Sequence, residues 1–126
     1  LHSTSRRQRQ MCIRDRDIPF LKQYDTKIIV NVCGKTEEDY VDAVEKLSEQ
    51  PVDMLEINIS CPNVKEGGIA FGQNPASAER ITAAVKKVAK HPVIMKLSPN
   101  VTDITEMAKA VSSPGFCRPI ALIMPP

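Results

Sequence analysis

The chain has 126 residues, 42% hydrophobic and 25% charged, a water-soluble composition with room for one domain at most. No apolar run approaches the roughly 20 residues of a membrane helix, and no apolar stretch follows the N-terminal arginines as a secretory signal would require. The net charge of +2 is uneven: residues 1–16 carry Arg6, Arg7, Arg9, Arg14 and Arg16 against Asp15 alone, so they hold +4 and the rest of the chain −2. A nucleic-acid reading would therefore rest on the first sixteen residues only, and no aromatic residue stands among those arginines for base stacking. Cys12, Cys33, Cys61 and Cys117 include no C-x-x-C pair, so neither a zinc site nor a redox pair is indicated, and all four read as free thiols.

The run Arg6-Arg7-Gln8-Arg9-Gln10-Met11-Cys12-Ile13-Arg14-Asp15 reads as a translated sequencing-library adapter. The bases CGT CGG CAG CGT CAG ATG TGT ATA AGA GAC encode those residues in order. Residues 1–16 are expected to be non-native and unfolded, and they are set aside from the fold reasoning.

Lys27–Val32 is a β-branched run closed by Gly34, the pattern of a buried strand. Thr36 with Asp39 three residues later forms a capping signal, and Tyr40, Val41, Val44 and Leu47 follow at helical spacing until Pro51. Val52–Ser60 reads as the second strand and Cys61–Asn74 as a glycine-rich loop. Pro75–Lys90 reads as a helix with Ile81, Ala84, Val85 and Val88 on one face, Pro92–Leu97 as the third strand, and Asp103–Val111 as a further helix. Ile120–Ile123 has the composition of a fourth strand. Alternating strands and helices imply parallel strands with crossover helices, and both a flavodoxin-like sheet and a (β/α)₈ barrel fit. A whole barrel needs roughly 250 residues, so a barrel reading makes this about half of one.

Parallel α/β folds gather chemistry at the C-terminal ends of their strands. Asn31 stands near the first such end, Asn58, Ser60, Cys61 and Asn63 at the second, Lys96 and Ser98 at the third. Asparagine amides suit a planar ligand with imide groups, and a loop thiol can act as nucleophile or, once ionised, as base. A polar turn with an incidental cysteine is the competing reading. His91 precedes its strand, at the wrong end to partner Cys61, which argues against a cysteine–histidine hydrolase. Lys96, among Ile94, Met95 and Leu97, either faces an anionic group or reaches solvent from the strand end. Gly67, Gly68 and Gly72 suit a mobile cover, and Cys33 reads as a small buried hydrophobe.

Asn58–Gly72 (N-I-S-C-P-N-V-K-E-G-G-I-A-F-G) resembles the catalytic loop of class 1 dihydroorotate dehydrogenases, with further likeness over Ile28–Gly34 and Val93–Ile104. The K-E-G-G-I-A-F-G continuation resembles the NAD-linked class 1B, and cysteine at Cys61 departs from the membrane-bound class, which has serine there. The resemblance spans about residues 17–111 and implies a partial (β/α)₈ TIM barrel of three to four β/α units. It implies an FMN-dependent, cytoplasmic enzyme of pyrimidine biosynthesis that oxidises dihydroorotate to orotate. An electron-transfer subunit carrying FAD and an iron–sulfur cluster would deliver electrons to NAD, and the full-length form would be oligomeric. By the same resemblance Cys61 would be the catalytic base. Asn31, Asn58 and Lys96 would hold the cofactor, and Asn58 and Asn63 the substrate, with no metal, nucleic acid or membrane involved. Residues 112–126 diverge: Ile120–Ile123 matches the family's next strand, but Ser112–Pro119 does not resemble the helix end before it, and Met124 and Pro125 stand where an asparagine and a small hydroxyl residue are expected, which reads as a read error or frameshift near the end. The segment alone is expected to be inactive. The alternatives are a dihydropyrimidine dehydrogenase-like flavoprotein domain and a non-catalytic, barrel-derived binding module.

Overall fold

The computed structural model describes residues 13–60, 65–66, 69–113 and 120–123. Four parallel strands form the main sheet: β1 (Ile29–Val32), β2 (Met54–Asn58), β5 (Val93–Leu97) and β6 (Ile120–Ile123), hydrogen-bonded in that order. A two-residue antiparallel pair, β3 (Lys65–Glu66) and β4 (Ile69–Ala70), stands in the loop after β2. The helices are α1 (Ile18–Leu21), α2 (Glu37–Ser48), α3 (Pro75–Val88) and α4 (Ile104–Val111).

The order decides between the two folds that the alternation left open. A doubly wound sheet reverses its strand order at a switch point and places helices on both faces. Here the parallel strands follow one another in chain order, and α3 packs between α2 and α4. That is the arrangement of successive β/α units in a barrel wall.

Local chemistry fixes the ends of the helices. Thr36 accepts from the Asp39 N–H at 3.2 Å while the Asp39 carboxylate accepts from the Thr36 N–H at 3.0 Å, a complete capping box for α2. Asn74 accepts from the Ser77 N–H at 3.1 Å and Pro75 opens α3, where its missing N–H costs nothing. Asp103 caps α4 by accepting from the Thr105 hydroxyl at 2.6 Å and the Thr105 N–H at 2.7 Å, and these bonds, hydroxyl first, hold its carboxyl below the usual range. At the far end of α2, buried Ser48 accepts from the Lys90 N–H at 3.2 Å and donates to the Val88 carbonyl at 3.3 Å, tying α2 to the exit of α3.

The core lies between the sheet and the helices. Val30, Val32, Leu55, Ile57, Met95 and Leu97 meet Tyr40, Val44, Ile81, Val85, Met107 and Val111 there. Each fully buried aliphatic side chain contributes about 1.5–3 kcal/mol. The opposite face of the same strands carries Ile29 and Asn31 from β1, Glu56 and Asn58 from β2, and Lys96 from β5.

Three expectations are corrected. Cys33 is exposed rather than buried, because it follows Ile29 and Asn31 in alternation while Val32 turns inward. Ile13–Asp17 forms one π-helical turn and Ile13 packs against the core, so the end of the arginine-rich stretch is not unfolded; residues 1–12 lie outside the described residues. The loop after β2 holds the β3–β4 pair and a 3₁₀ turn at Phe71–Gln73. Ile120–Ile123 does pair in parallel with β5, as a fourth strand.

Candidate functional site

The site forms where the strands end. Asn58, the last residue of β2, lies in register with Lys96 of β5, and Asn31 of β1 lies in register with Glu56. Three of the expected site residues thus occupy one face of neighbouring strands. Cys61 and Asn63 lie outside the described residues; in sequence they follow β2 after Ile59 and Ser60.

Asn58 is held by both its backbone and its side chain. The Tyr40 hydroxyl donates to its carbonyl at 2.9 Å, while its Oδ1 accepts from the Ser60 hydroxyl at 2.7 Å and the Ser60 N–H at 3.1 Å. This Asx-type turn commits the amide oxygen to the chain, so the group Asn58 can still offer a ligand is its NH₂ donor. Tyr40 is 1% exposed and stacks edge-to-face on Phe71, with centroids 6.3 Å apart. A Cβ at Gly72 would stand 2.3 Å from the Ile59 carbonyl oxygen, so only glycine lets the returning loop lie on the end of β2. A Cβ at Gly34 would meet Tyr40 Cδ2 at 2.8 Å. Tyr40 therefore joins the exits of β1 and β2 to the base of the loop.

Lys96 is half-buried and, among the described residues, has neither a hydrogen bond nor an ion pair. A cation so placed is suited to an anionic or electron-rich group arriving on the open face. Asn31 is exposed; its Nδ2 donates to the Glu56 carboxylate, and its Oδ1 accepts from Cys33 Sγ at 3.3 Å. Glu56 was missed in the sequence. Its signal is the one that exposed Lys96: a charge inside a strand, here two residues before Asn58 and so on the same face. An open depression of about 540 Å³, lined by Gln73, Asn100, Val101 and Thr102, borders the loops that follow β4 and β5.

The electrostatic anchor at the other end of the sheet has a different use. Asp53, before β2, accepts from the Ile28 N–H at 2.9 Å and from Lys27 Nζ at 3.0 Å, and these bonds, the backbone one first, lower its carboxyl. It fastens the start of β1 to the start of β2. Among the described residues no three His, Cys, Asp or Glu side chains cluster to hold a metal ion, and no helix is long and apolar enough to cross a membrane.

A parallel sheet in chain order, helices on one side and amides with a lysine on the other, defines a segment of a β/α barrel with these candidate residues toward its strand exits. The family model described as dihydroorotate dehydrogenase matches residues 4–124, and the chain belongs to that family. It is 65% identical over 101 residues to a protein of Lachnoclostridium phytofermentans named dihydroorotate dehydrogenase B (NAD(+)), catalytic subunit, covering 80% of this chain and 34% of that protein. Identity is 60% over 101 residues to the Alkaliphilus metalliredigens protein of the same name, again 80% of this chain and 33% of the relative. A Listeria welshimeri protein of that name is 54% identical over 100 residues, 79% of this chain and 33% of its own length. The chain thus spans about a third of the length of the curated relatives it matches. The family match takes in most of the arginine-rich stretch and the tail, while these pairwise matches cover 79–80% of the chain.

Proposed function

We propose that the full-length protein carrying this segment oxidises dihydroorotate to orotate in pyrimidine biosynthesis, as the NAD-linked catalytic subunit of its family. The observation that carries the reading is the alignment of Asn58 with Lys96 across β2 and β5, beside a loop whose sequence begins with Cys61. The donor set fits flavin mononucleotide: amides at Asn31 and Asn58 can bond a planar heteroaromatic ring, and the half-buried Lys96 can face its negative charge. FMN, when bound, supplies the acceptor for the substrate's hydride.

The remaining chemistry belongs to the chain. Cys61, as thiolate, takes a ring proton from dihydroorotate while Asn58 and Asn63 orient the ring, and loss of proton and hydride together gives orotate. Electrons leave through a partner subunit carrying FAD and an iron–sulfur cluster, with NAD as final acceptor, in the cytoplasm. The name of the relatives, catalytic subunit, supports such a partner. We also assign residues 1–16 to adapter sequence, 17–111 to the central barrel segment and 112–126 to a divergent tail, within which Ile120–Ile123 still pairs with β5.

Cys61→Ser tests the assignment. In the full-length protein it should slow flavin reduction by dihydroorotate about 10²–10⁴-fold, the range for a lost general base, with FMN still bound. Stopped-flow bleaching of the flavin reads this directly. A variant that bleaches at the wild-type rate near pH 7 removes Cys61 from the mechanism.

A further inference from the structure

Glu56 lies in the middle of β2, with Asn31 opposite it on β1 and Ile94 opposite it on β5. A half-buried acid within a strand is costly unless its charge is used. Among the described residues it has no ion pair with Lys96; its contact is the hydrogen bond it accepts from Asn31 Nδ2. An ionised carboxylate has no proton to donate, so it attracts the NH₂ end of the Asn31 amide and repels the oxygen end. On an exposed strand position an unrestrained amide would present either end. Here the oxygen is turned the other way, where Cys33 Sγ donates to it at 3.3 Å, and an amide oxygen has a second lone pair to offer.

We propose that Glu56 is a positioning residue that locks the Asn31 amide, so that Asn31 offers its oxygen, an acceptor, to an N–H or O–H of the bound cofactor. The inference rests on the flavin reading above and deepens it by naming which end of the amide the ligand meets. Glu56 acts only through Asn31 and touches no ligand itself.

The test is titration of FMN into the apo form of the full-length protein, read by quenching of flavin fluorescence, with the flavin midpoint potential as a second readout. Asn31→Ala and Glu56→Ala should each weaken FMN binding about tenfold, the worth of the one hydrogen bond that the Asn31 oxygen makes to the ligand. The double variant should be no weaker than Asn31→Ala alone, since both remove one interaction. Asn31→Asp sets two carboxylates against each other and should bind worst. Adding Glu56→Gln to it should restore binding at least tenfold, because the glutamine NH₂ can donate to the introduced carboxylate. That recovery also guards against a Glu56→Ala variant that fails to fold. Losses that simply multiply in the double alanine variant, or no recovery in the Asn31→Asp/Glu56→Gln pair, overturn the inference while leaving the flavin reading intact. A wild-type protein that binds no FMN overturns both.

Discussion

The two faces of the sheet are written in alternate residues of the same strands, yet they answer to different demands. Toward the helices, Leu55, Ile57, Met95 and Leu97 are each 0% exposed. Toward the open side, Ile29 is 51% exposed, Asn31 is exposed, and Glu56, Asn58 and Lys96 are half-buried. One face is apolar and closed, so its residues are set by volume. The other sets polar Asn31, Glu56, Asn58 and Lys96 beside Ile29 and Ile94 and is more open, so its polar residues are set by what will be bound there. A change of one position along a strand moves a residue from one regime to the other.

Substitutions on the two faces should separate these regimes. Leu55→Ala removes a fully buried side chain between sheet and helices and should destabilise the full-length protein by about 2–5 kcal/mol in urea unfolding. A loss under about 1 kcal/mol would mean that the closed face does not hold the fold. Lys96→Met should do the reverse. Its half-buried charge has no partner among the described residues, so apo-protein stability should change by no more than about 0.5 kcal/mol, while flavin reduction slows about 10²–10³-fold. A large fall in stability with unchanged rate would reverse the assignment.

Gly72→Ala tests the seam between the faces. Its Cβ would collide with the Ile59 carbonyl, and the forced shift should cost about 1–3 kcal/mol. Thermal unfolding checks it, and an unchanged midpoint would show that the loop can lift off β2 freely.

The smallest effect belongs to Asp53, far from the site. Its carboxyl is lowered in the folded state, so its contribution is present above the ordinary carboxylate range near 4 and is lost as pH falls through the depressed value. Asp53→Asn should lower the melting temperature near neutral pH, and the gap from wild type should close as the solution is acidified below about pH 4. A gap that persists or widens in acid would contradict the ionised anchor.

The closed face was largely legible in the sequence because volume leaves a periodic trace. Tyr40, Val44, Ile81 and Val85 recur at helical spacing and are buried, and the caps at Thr36 and Pro75 stand where their side-chain chemistry requires. The open face was legible in part. Asn31, Asn58 and Lys96 lie together, but Glu56 was passed over because its partner is 25 positions away. Cys33 was misread because its apolar character was weighed above its place in the alternation that Ile29 and Asn31 begin. The β3–β4 pair left no signal, since strands of two residues are too short to show a period.

Tyr40 carries a consequence for any attempt to vary this segment. A Cβ at Gly34 would press on its ring, its hydroxyl holds the carbonyl of Asn58, and Phe71 packs against its edge. Positions 34, 40 and 71 therefore form one unit of choice rather than three. A library that randomises them independently will be filled with chains in which a bulkier residue at 34 displaces the ring and takes the donor away from Asn58. Drawn jointly, a smaller residue at 40 could admit alanine at 34, but the exit of β2 would then need a new hydroxyl from elsewhere. Substitutions at 34 should thus be tolerated only in company, and the variants that survive should reveal which other side chain can take over the duty of fixing the Asn58 carbonyl.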